Sequence, residues 1–211
     1  MSPARRSNRP LSRNESDDLH GSAPDDCATA LLVIDMISDF EFVQGDRLFE
    51  QALPAARRIA ALTRRARAAG IPVVYVNDNA GRWRSSLEEV WSNATAEGCR
   101  GRPVGELLAP ADTDYFVLKP RHSGFYGTTL ELVLAKLGSS RLILTGIAGD
   151  VCVLLTAADA YLREYDLFVP SDCIASMDEN ENAAALRYMR RVFKANVSRS
   201  ASLRLDALAR G

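Results

Sequence analysis

The chain has 211 residues, of which 47% are hydrophobic and 25% charged, and 26 basic and 27 acidic side chains leave a formal net charge of −1. This length and composition fit one globular domain and exclude collagen, a small disulfide scaffold and disorder throughout. A nearly neutral chain has no overall field that would attract nucleic acid or an acidic membrane. We therefore expect a small-molecule partner, with no nucleic acid and no membrane.

The sequence contains no segment typical of secretion or of membrane insertion. Its N-terminus lacks the apolar stretch of a signal peptide, and no apolar run approaches the ~20 residues that cross a bilayer. We therefore expect a cytoplasmic protein.

The N-terminal segment differs in composition from the rest of the chain. Residues 1–27 are rich in Ser, Pro, Arg and Asp, and a basic half is followed by an acidic half. Such a segment holds too little apolar surface to pack a core. We expect residues 1–27 to form a disordered or loosely attached arm and residues 28–211 to form one domain.

The rest of the chain alternates between two patterns. Short apolar runs typical of buried strands fall at residues 29–34, 72–76, 115–118, 141–145 and 166–169. Helical spacing of apolar residues occurs over about residues 53–69, 128–138, 151–164 and 179–194, and the second of these opens with the capping-box pattern of Thr128 and Glu131. Strands that alternate with helices predict an α/β fold in three layers, with helices on both faces of an open, mostly parallel sheet.

Reactive side chains follow three of the predicted strands. Open parallel sheets bind ligands beyond the carboxyl ends of their strands. Asp35 directly follows the first run, Lys119 directly follows the third, and Cys152 lies near a predicted helix start after the fourth. An ammonium and a helix N-terminus would favour the thiolate, and a carboxylate can accept the thiol proton and return it to a leaving amine. Taken singly, each residue also suits a structural role, as a turn former, a solvated lysine or a packing cysteine.

Several motifs resemble those of one family, in the order in which that family has them. Residues 144–153 resemble the nucleophile loop of the isochorismatase-like cysteine hydrolase superfamily, which includes nicotinamidases, N-carbamoylsarcosine amidohydrolases and ureidoacrylate hydrolases. The resemblance continues through residues 31–35, 119–130 and 169–173, and it covers the chain from about residue 28 to its C-terminal end.

The resemblance implies a six-stranded sheet of Rossmann-like topology and a catalytic triad of Asp35, Lys119 and Cys152. It also implies a cis peptide bond between Ile147 and Ala148. In the family, this bond aims backbone N–H groups at a developing oxyanion, here those of Ala148 and Cys152.

One departure from the family pattern argues against a metal. Nicotinamidases carry a metal site with an Asp and two His after the second strand. Here that region contains Asp78 but no His, and a lone carboxylate with amide neighbours is a poor transition-metal site. We therefore expect no metal and no other cofactor.

Several residues near the strand ends are candidates for contact with a substrate. Each also suits a structural role, as core packing for the aromatic rings or as a strand-end turn for the amides. Whether His122 lines the pocket stays open. The candidate substrate-binding residues are Phe40, Asn77, Asn79, Trp83, Phe125 and Tyr126.

These observations predict a cysteine hydrolase that cleaves an amide, ureido or carbamoyl C–N bond through a thioester. Isochorismatases cleave a vinyl ether without a thiol nucleophile, and that reaction is one alternative. A catalytically silent binding module is the other, since a fold does not guarantee activity. A nucleotide-binding Rossmann module is disfavoured because no strand is followed by G-x-G-x-x-G. Because family members are commonly oligomeric, we expect a homo-oligomer.

Overall fold

A computed structural model describes residues 25–79 and 86–210. The strands are β1 (Thr29–Ile34), β2 (Val73–Asp78), β3 (Tyr115–Lys119), β4 (Arg141–Ile147), β5 (Asp166–Phe168) and β6 (Ile174–Ala175). The α-helices are α1 (Gly45–Ala68), α2 (Leu87–Ala94), α3 (Arg102–Leu107), α4 (Leu130–Lys136), α5 (Leu154–Leu162), α6 (Glu179–Val192) and α7 (Leu205–Ala209). A π-helical turn (Gly149–Val153) precedes α5, and a 3-10 turn (Ser200–Ser202) precedes α7.

The strands form one sheet in the order β3-β2-β1-β4-β5, and β6 pairs with the end of β4. Every pairing is parallel. The chain adds β2 and β3 on one side of β1 and then returns to place β4 on the other side. Open sheets form a crevice at such a reversal, beyond the carboxyl ends of the strands. The predicted α/β fold with a six-stranded, mostly parallel sheet is confirmed.

Apolar cores lie on both faces of the sheet. Leu31 and Val33 of β1 share a core with α1, α2, α3 and α7, whereas Leu32 and Ile34 share the opposite core with α4, α5 and α6. A central strand covered on both faces needs an apolar side chain at every position. This requirement explains why β1 has a continuous apolar run rather than an alternating one.

The elements differ from their predicted form at several places. β6 has two residues, too few for a pattern to predict. The helix predicted from about residue 151 begins at Leu154, because a π-helical turn precedes it. The predicted capping box does not form: the Thr128 hydroxyl accepts the backbone N–H of Leu130, and the Glu131 carboxylate binds Arg163 at 3.0 Å.

The last residues of the predicted arm belong to the folded domain. Cys27 is buried, and its backbone N–H donates to the carbonyl oxygen of Leu137 at 2.9 Å. The Tyr115 hydroxyl donates to the Asp25 carboxylate at 2.7 Å. The rest of the arm lies outside the described residues. Within residues 25–79 and 86–210, no helix combines the length and the apolar content needed to cross a membrane.

Gly146 lets β4 pass close to β1. Its φ is +121°, and a Cβ at this position would overlap the carbonyl oxygen of Ile34. We expect Gly146→Ala to lower the free energy of unfolding by about 3 kcal/mol, because the overlap is with backbone that cannot move aside. Gly70→Ala is the matched control, since Gly70 has φ +73° with nothing within 4 Å of an added Cβ. Urea denaturation measures both, and equal losses would contradict the role of the close approach.

Candidate active site

An acid, a cation and a thiol meet at the carboxyl edge of the sheet, where the strand order reverses. Asp35 directly follows β1, Lys119 is the last residue of β3, and Cys152 lies in the π-helical turn after β4. Asp35 has a left-handed backbone with φ 54°, and its N–H still pairs with the carbonyl oxygen of Val76 in β2 at 2.9 Å. The structure thus brings together the three residues that the sequence singled out.

Lys119 lies at the centre of this cluster. Its side chain is fully buried, and Nζ is 2.8 Å from Asp35 Oδ2, 3.4 Å from Asp78 Oδ2 and 3.6 Å from Cys152 Sγ. Burial opposes the charged ammonium, but the Asp35 carboxylate and the other partners outweigh it, so the pKa of Lys119 is raised. Lys119 is therefore a fixed positive charge beside the sulfur.

The Asp35 carboxylate is held on both of its oxygens. Lys119 contacts Oδ2, and the backbone N–H of Asp78 donates to Oδ1 at 2.7 Å. Burial raises the pKa of Asp35 above its usual value, and the Lys119 ammonium offsets this only in part. The Cys152 sulfur is close enough to this carboxylate for each group to shift the pKa of the other. Asp35 is thus a carboxylate of raised pKa near a thiol, which suits proton transfer.

Hydrogen bonds to a neighbouring loop and helix hold the turn that carries Cys152. The backbone N–H of Asp150 donates to Ser176 Oγ at 3.1 Å, and the Ser176 hydroxyl contacts Asn182 Oδ1 at 3.1 Å. The peptide bond between Ile147 and Ala148, just before the turn, is cis. Residues next to β6 and in α6 therefore position the turn and its sulfur.

The thiol of Cys152 is protonated at neutral pH. Burial and the negative charge of Asp35 raise the pKa of Cys152 to about 12, against the opposing effect of the Lys119 ammonium. The sequence predicted that the ammonium and a helix N-terminus would favour the thiolate. The Lys119 ammonium does lower the pKa of Cys152, but the lost hydration of the buried sulfur and the negative charge of Asp35 outweigh it. The thiol proton therefore has to be transferred during attack, and Asp35 is in place to accept it.

Alkylation of Cys152 tests this protonation state. We expect its labelling rate, followed by mass spectrometry of its peptide, to keep rising with pH where ordinary thiols of pKa ~8.5 level off. Asp35→Asn should move the curve to lower pH, because a negative charge beside the sulfur is removed while Lys119 stays. A wild-type curve that levels off below pH ~8.5 would show that the thiolate is favoured.

A cavity of about 580 Å³ opens at this edge of the sheet. Its volume suits a small organic molecule. Its wall is largely apolar, with amides and carboxylates at intervals. The predicted site residues that line it are Asp35, Asn77, Asn79, Ile147, Ala148 and Cys152.

The predicted aromatic contacts lie elsewhere. Phe40 is fully buried and packs edge-on against Phe49. Phe125 is buried in the core beneath α4 and α5, and Tyr126 is 64% exposed to solvent. The predictions for Phe40 and Phe125 are wrong, because a ring near a strand end gains as much free energy from core packing as from lining a pocket. Tyr126 is exposed but does not line the cavity. Trp83 lies outside the described residues.

The cavity wall also includes residues that the sequence did not single out for substrate contact. Phe42 and Met177 supply apolar surface, and His122 lines the cavity with Nδ1 3.9 Å from Cys152 Sγ. Phe42 lies in the same loop as Phe40, where the left-handed backbone of Phe40, φ 56°, changes the chain direction. Hydrophobic periodicity does not extend through such a turn, so it gave no signal for Phe42.

The surroundings of Asp78 do not fit the metal of nicotinamidases. Asp78 Oδ2 lies 3.4 Å from the Lys119 ammonium, and the flanking residues are the amides Asn77 and Asn79. A positive charge disfavours a metal ion, and amides are weak ligands for transition metals. In the part of the chain that the structure describes, no three His, Cys, Asp or Glu side chains are grouped as metal ligands.

Comparison with known proteins identifies the family. A family model of the isochorismatase domain matches residues 29–202 of this chain. The chain belongs to the isochorismatase family. It is an isochorismatase-family hydrolase, as the triad and the fold lead one to expect.

Similar proteins include amidohydrolases. The chain is 41% identical to the uncharacterized isochorismatase family protein YaaI of Bacillus subtilis, over 80% of this chain and 92% of that protein. It is 34% identical to the ureidoacrylate amidohydrolase RutB of Methylorubrum extorquens, over 69% of this chain and 68% of that protein. The crystal structure of N-carbamoylsarcosine amidase from Thermoplasma acidophilum has a TM-score of 0.64 and 32% identity, over 83% of this chain and 98% of that one.

Proposed function

We propose that this protein is a cysteine hydrolase that cleaves the C–N bond of a small amide, ureido or carbamoyl compound through a thioester. The observation that carries the proposal is the contact of Lys119 Nζ with both Asp35 Oδ2, at 2.8 Å, and Cys152 Sγ, at 3.6 Å, at the edge of one cavity. The similarity to ureidoacrylate amidohydrolase and N-carbamoylsarcosine amidase supports the choice of a C–N bond.

The first half of the reaction forms the thioester. Asp35 accepts the proton of the Cys152 thiol as sulfur attacks the carbonyl carbon, and an S–C bond forms. The Lys119 ammonium stabilises the negative charge on sulfur while the proton moves. The C–N bond then breaks, and the proton on Asp35 passes to the departing nitrogen, which leaves as ammonia or an amine.

The second half regenerates the enzyme. A water molecule gives a proton to Asp35 and attacks the thioester carbon. The C–S bond breaks, the acid product leaves, and the proton on Asp35 returns to the Cys152 sulfur. The same carboxylate therefore accepts and returns a proton in each half, which suits a group whose pKa is raised by burial.

Backbone N–H groups are the proposed donors to the oxyanion. Ala148 and Cys152 both line the cavity at the turn that carries the sulfur. Donors fixed by the backbone stabilise a developing negative charge without having to reorganise.

A panel of small primary amides, ureides and carbamoyl amino acids tests the proposal. We expect ammonia release from at least one class, with Cys152→Ala as the inactive control. Hydrolysis of a vinyl ether that persists in Cys152→Ala would instead favour isochorismatase-type chemistry, which needs no thiol. Binding without any turnover would favour a silent module.

The acid limb of the pH–rate profile reports the ionisation of Asp35. The reaction needs Asp35 ionised, and burial raises its pKa, so kcat/KM should fall in acid at a pH above the ~4 of an ordinary carboxyl. The pKa values of Cys152, about 12, and of Lys119 are both raised, so neither produces an alkaline limb near neutral pH. An acid limb centred at or below pH ~4 would contradict the role of a buried Asp35.

A further inference from the structure

The cavity wall offers hydrogen-bond acceptors and negative charge to a ligand. The acidic residues Asp39 and Glu89, both exposed to solvent, line it together with Asp78. Among the lining residues that the structure describes, none is a Lys or an Arg. The Lys119 ammonium lies next to the sulfur, and its charge is already matched by Asp35 at 2.8 Å and Asp78 at 3.4 Å.

Asn77 carries an acceptor that the protein leaves unused. Its side chain is 2% exposed and lines the cavity, and its Nδ2 donates to the carbonyl oxygen of Ile37 at 2.7 Å. Because a carbonyl can only accept, this bond fixes which end of the amide is nitrogen. Asn77 Oδ1 is buried and has no hydrogen-bond partner among residues 25–79 and 86–210. An unsatisfied buried acceptor costs free energy that a ligand N–H can recover.

Much of the remaining wall is apolar. Ile37, Phe42, Val90 and Met177 line the cavity, and Phe42 is 46% exposed at its edge. An apolar substituent on a substrate would cover this surface and exclude water from it. A carboxylate on the same substituent would lose hydration and would face Asp39 and Glu89.

We propose that this cavity selects amides whose remaining part is apolar and carries no carboxylate, and that Asn77 Oδ1 accepts a substrate N–H. The inference rests on the proposed function and names the substrate class of that site. It also predicts that this chain differs from a hydrolase that prefers an acidic amide of the same length.

Binding to Cys152→Ala tests the charge preference without turnover. The probes are hexanamide and adipic acid monoamide, which differ by a terminal methyl group or carboxylate on the same chain. We expect calorimetry to give a dissociation constant about tenfold lower for hexanamide, with the difference shrinking as salt is added. Equal affinities, tighter binding of the monoamide, or no binding of soluble hexanamide would overturn the proposal.

A matched pair of variants tests the source of the preference. Asp39→Asn with Glu89→Gln removes both carboxylates and keeps the size of each side chain. We expect this double variant to move the ratio of the two dissociation constants towards one. Asp112→Asn with Glu106→Gln changes net charge equally at residues that do not line the cavity, so it should leave the ratio as in the parent. The same change in ratio for both pairs would overturn the assignment to the cavity wall.

The Asn77 acceptor is tested with a ligand that lacks only the N–H group. The methyl ketone 2-heptanone has the shape of hexanamide with a methyl group in place of the amide nitrogen. We expect Cys152→Ala to bind it about tenfold more weakly than hexanamide, because Asn77 Oδ1 then stays unpaired. In Cys152→Ala with Asn77→Ala, the ratio should approach one. A ratio that Asn77→Ala does not change would overturn the role of this residue.

Turnover by the wild-type protein separates this inference from the proposed function. Preferential hydrolysis of adipic acid monoamide through Cys152 would overturn the inference and leave the proposed function standing. Selective binding of hexanamide without hydrolysis of any amide would overturn the proposed function and leave the binding preference standing.

Discussion

Replacing Cys152 with alanine is expected to reduce kcat by about four orders of magnitude, because no other group in the site can form the thioester. Lys119 and Asp35, two neighbours of the sulfur, form an ion pair with Nζ 2.8 Å from Oδ2. This ion pair does not need the sulfur to stay in place. The cavity should therefore keep its shape, and substrate affinity should change far less than kcat. Ammonia release measures the rate, and calorimetry on the variant measures the affinity.

Cys173→Ala is the matched control for this prediction. The Cys173 thiol is also buried with its pKa raised to about 12, but it lies before β6 and does not line the cavity. We expect Cys173→Ala to keep kcat near that of the wild-type protein. If Cys152→Ala retained more than about a tenth of wild-type kcat, the assignment of the nucleophile would be wrong.

Replacing Lys119 with methionine is expected to reduce kcat by about three orders of magnitude. Methionine approximates the length of the buried lysine side chain but removes its positive charge. In the wild-type protein, that charge opposes the effect of burial on the pKa values of Asp35 and Cys152. Without the ammonium, the pKa values of Asp35 and Cys152 both rise further. Asp35 would then be protonated over a wider pH range, and the thiol would be harder to ionise during attack.

The pH profile separates this effect from a structural one. We expect the acid limb of kcat/KM in Lys119→Met to move to higher pH, which a simple loss of folded protein would not do. Lys136→Met, at an exposed position of α4, serves as a control for the loss of a lysine. An acid limb that stays in place with a large loss of kcat would contradict the electrostatic role of Lys119.

Sequence patterns predicted the sheet, and the resemblance to the family predicted that Asp35, Lys119 and Cys152 lie together. Continuous apolar runs are typical of strands covered on both faces, and β1 occupies the predicted residues 29–34. Asp35 and Lys119 each directly follow one of these apolar runs. In a sheet of parallel strands, this position places both residues at the carboxyl edge. The meeting of the two side chains across β2 also depends on the strand order, which the apolar runs alone do not reveal.

Properties that depend on packing could not be predicted in this way. The raised pKa of Cys152 comes from burial and from the contact with Asp35, which no spacing along the chain reveals. The choice of Phe42 rather than Phe40 for the cavity wall depends on left-handed backbone in the loop after β1. The unsatisfied oxygen of Asn77 depends on a hydrogen bond to Ile37, which lies in another part of the chain. The homo-oligomer stays a prediction.

Detection of the covalent intermediate tests directly whether Cys152 is the nucleophile that forms a thioester. The protein is mixed with the most rapidly hydrolysed amide of the panel, quenched in acid at successive short times, and digested for mass spectrometry. We expect the peptide containing Cys152 to gain the mass of the substrate acyl group during turnover, and Cys152→Ala to show no such gain. Rapid ammonia release with the acyl group found on a different residue, or with no acylated peptide at any quench time, would contradict this expectation.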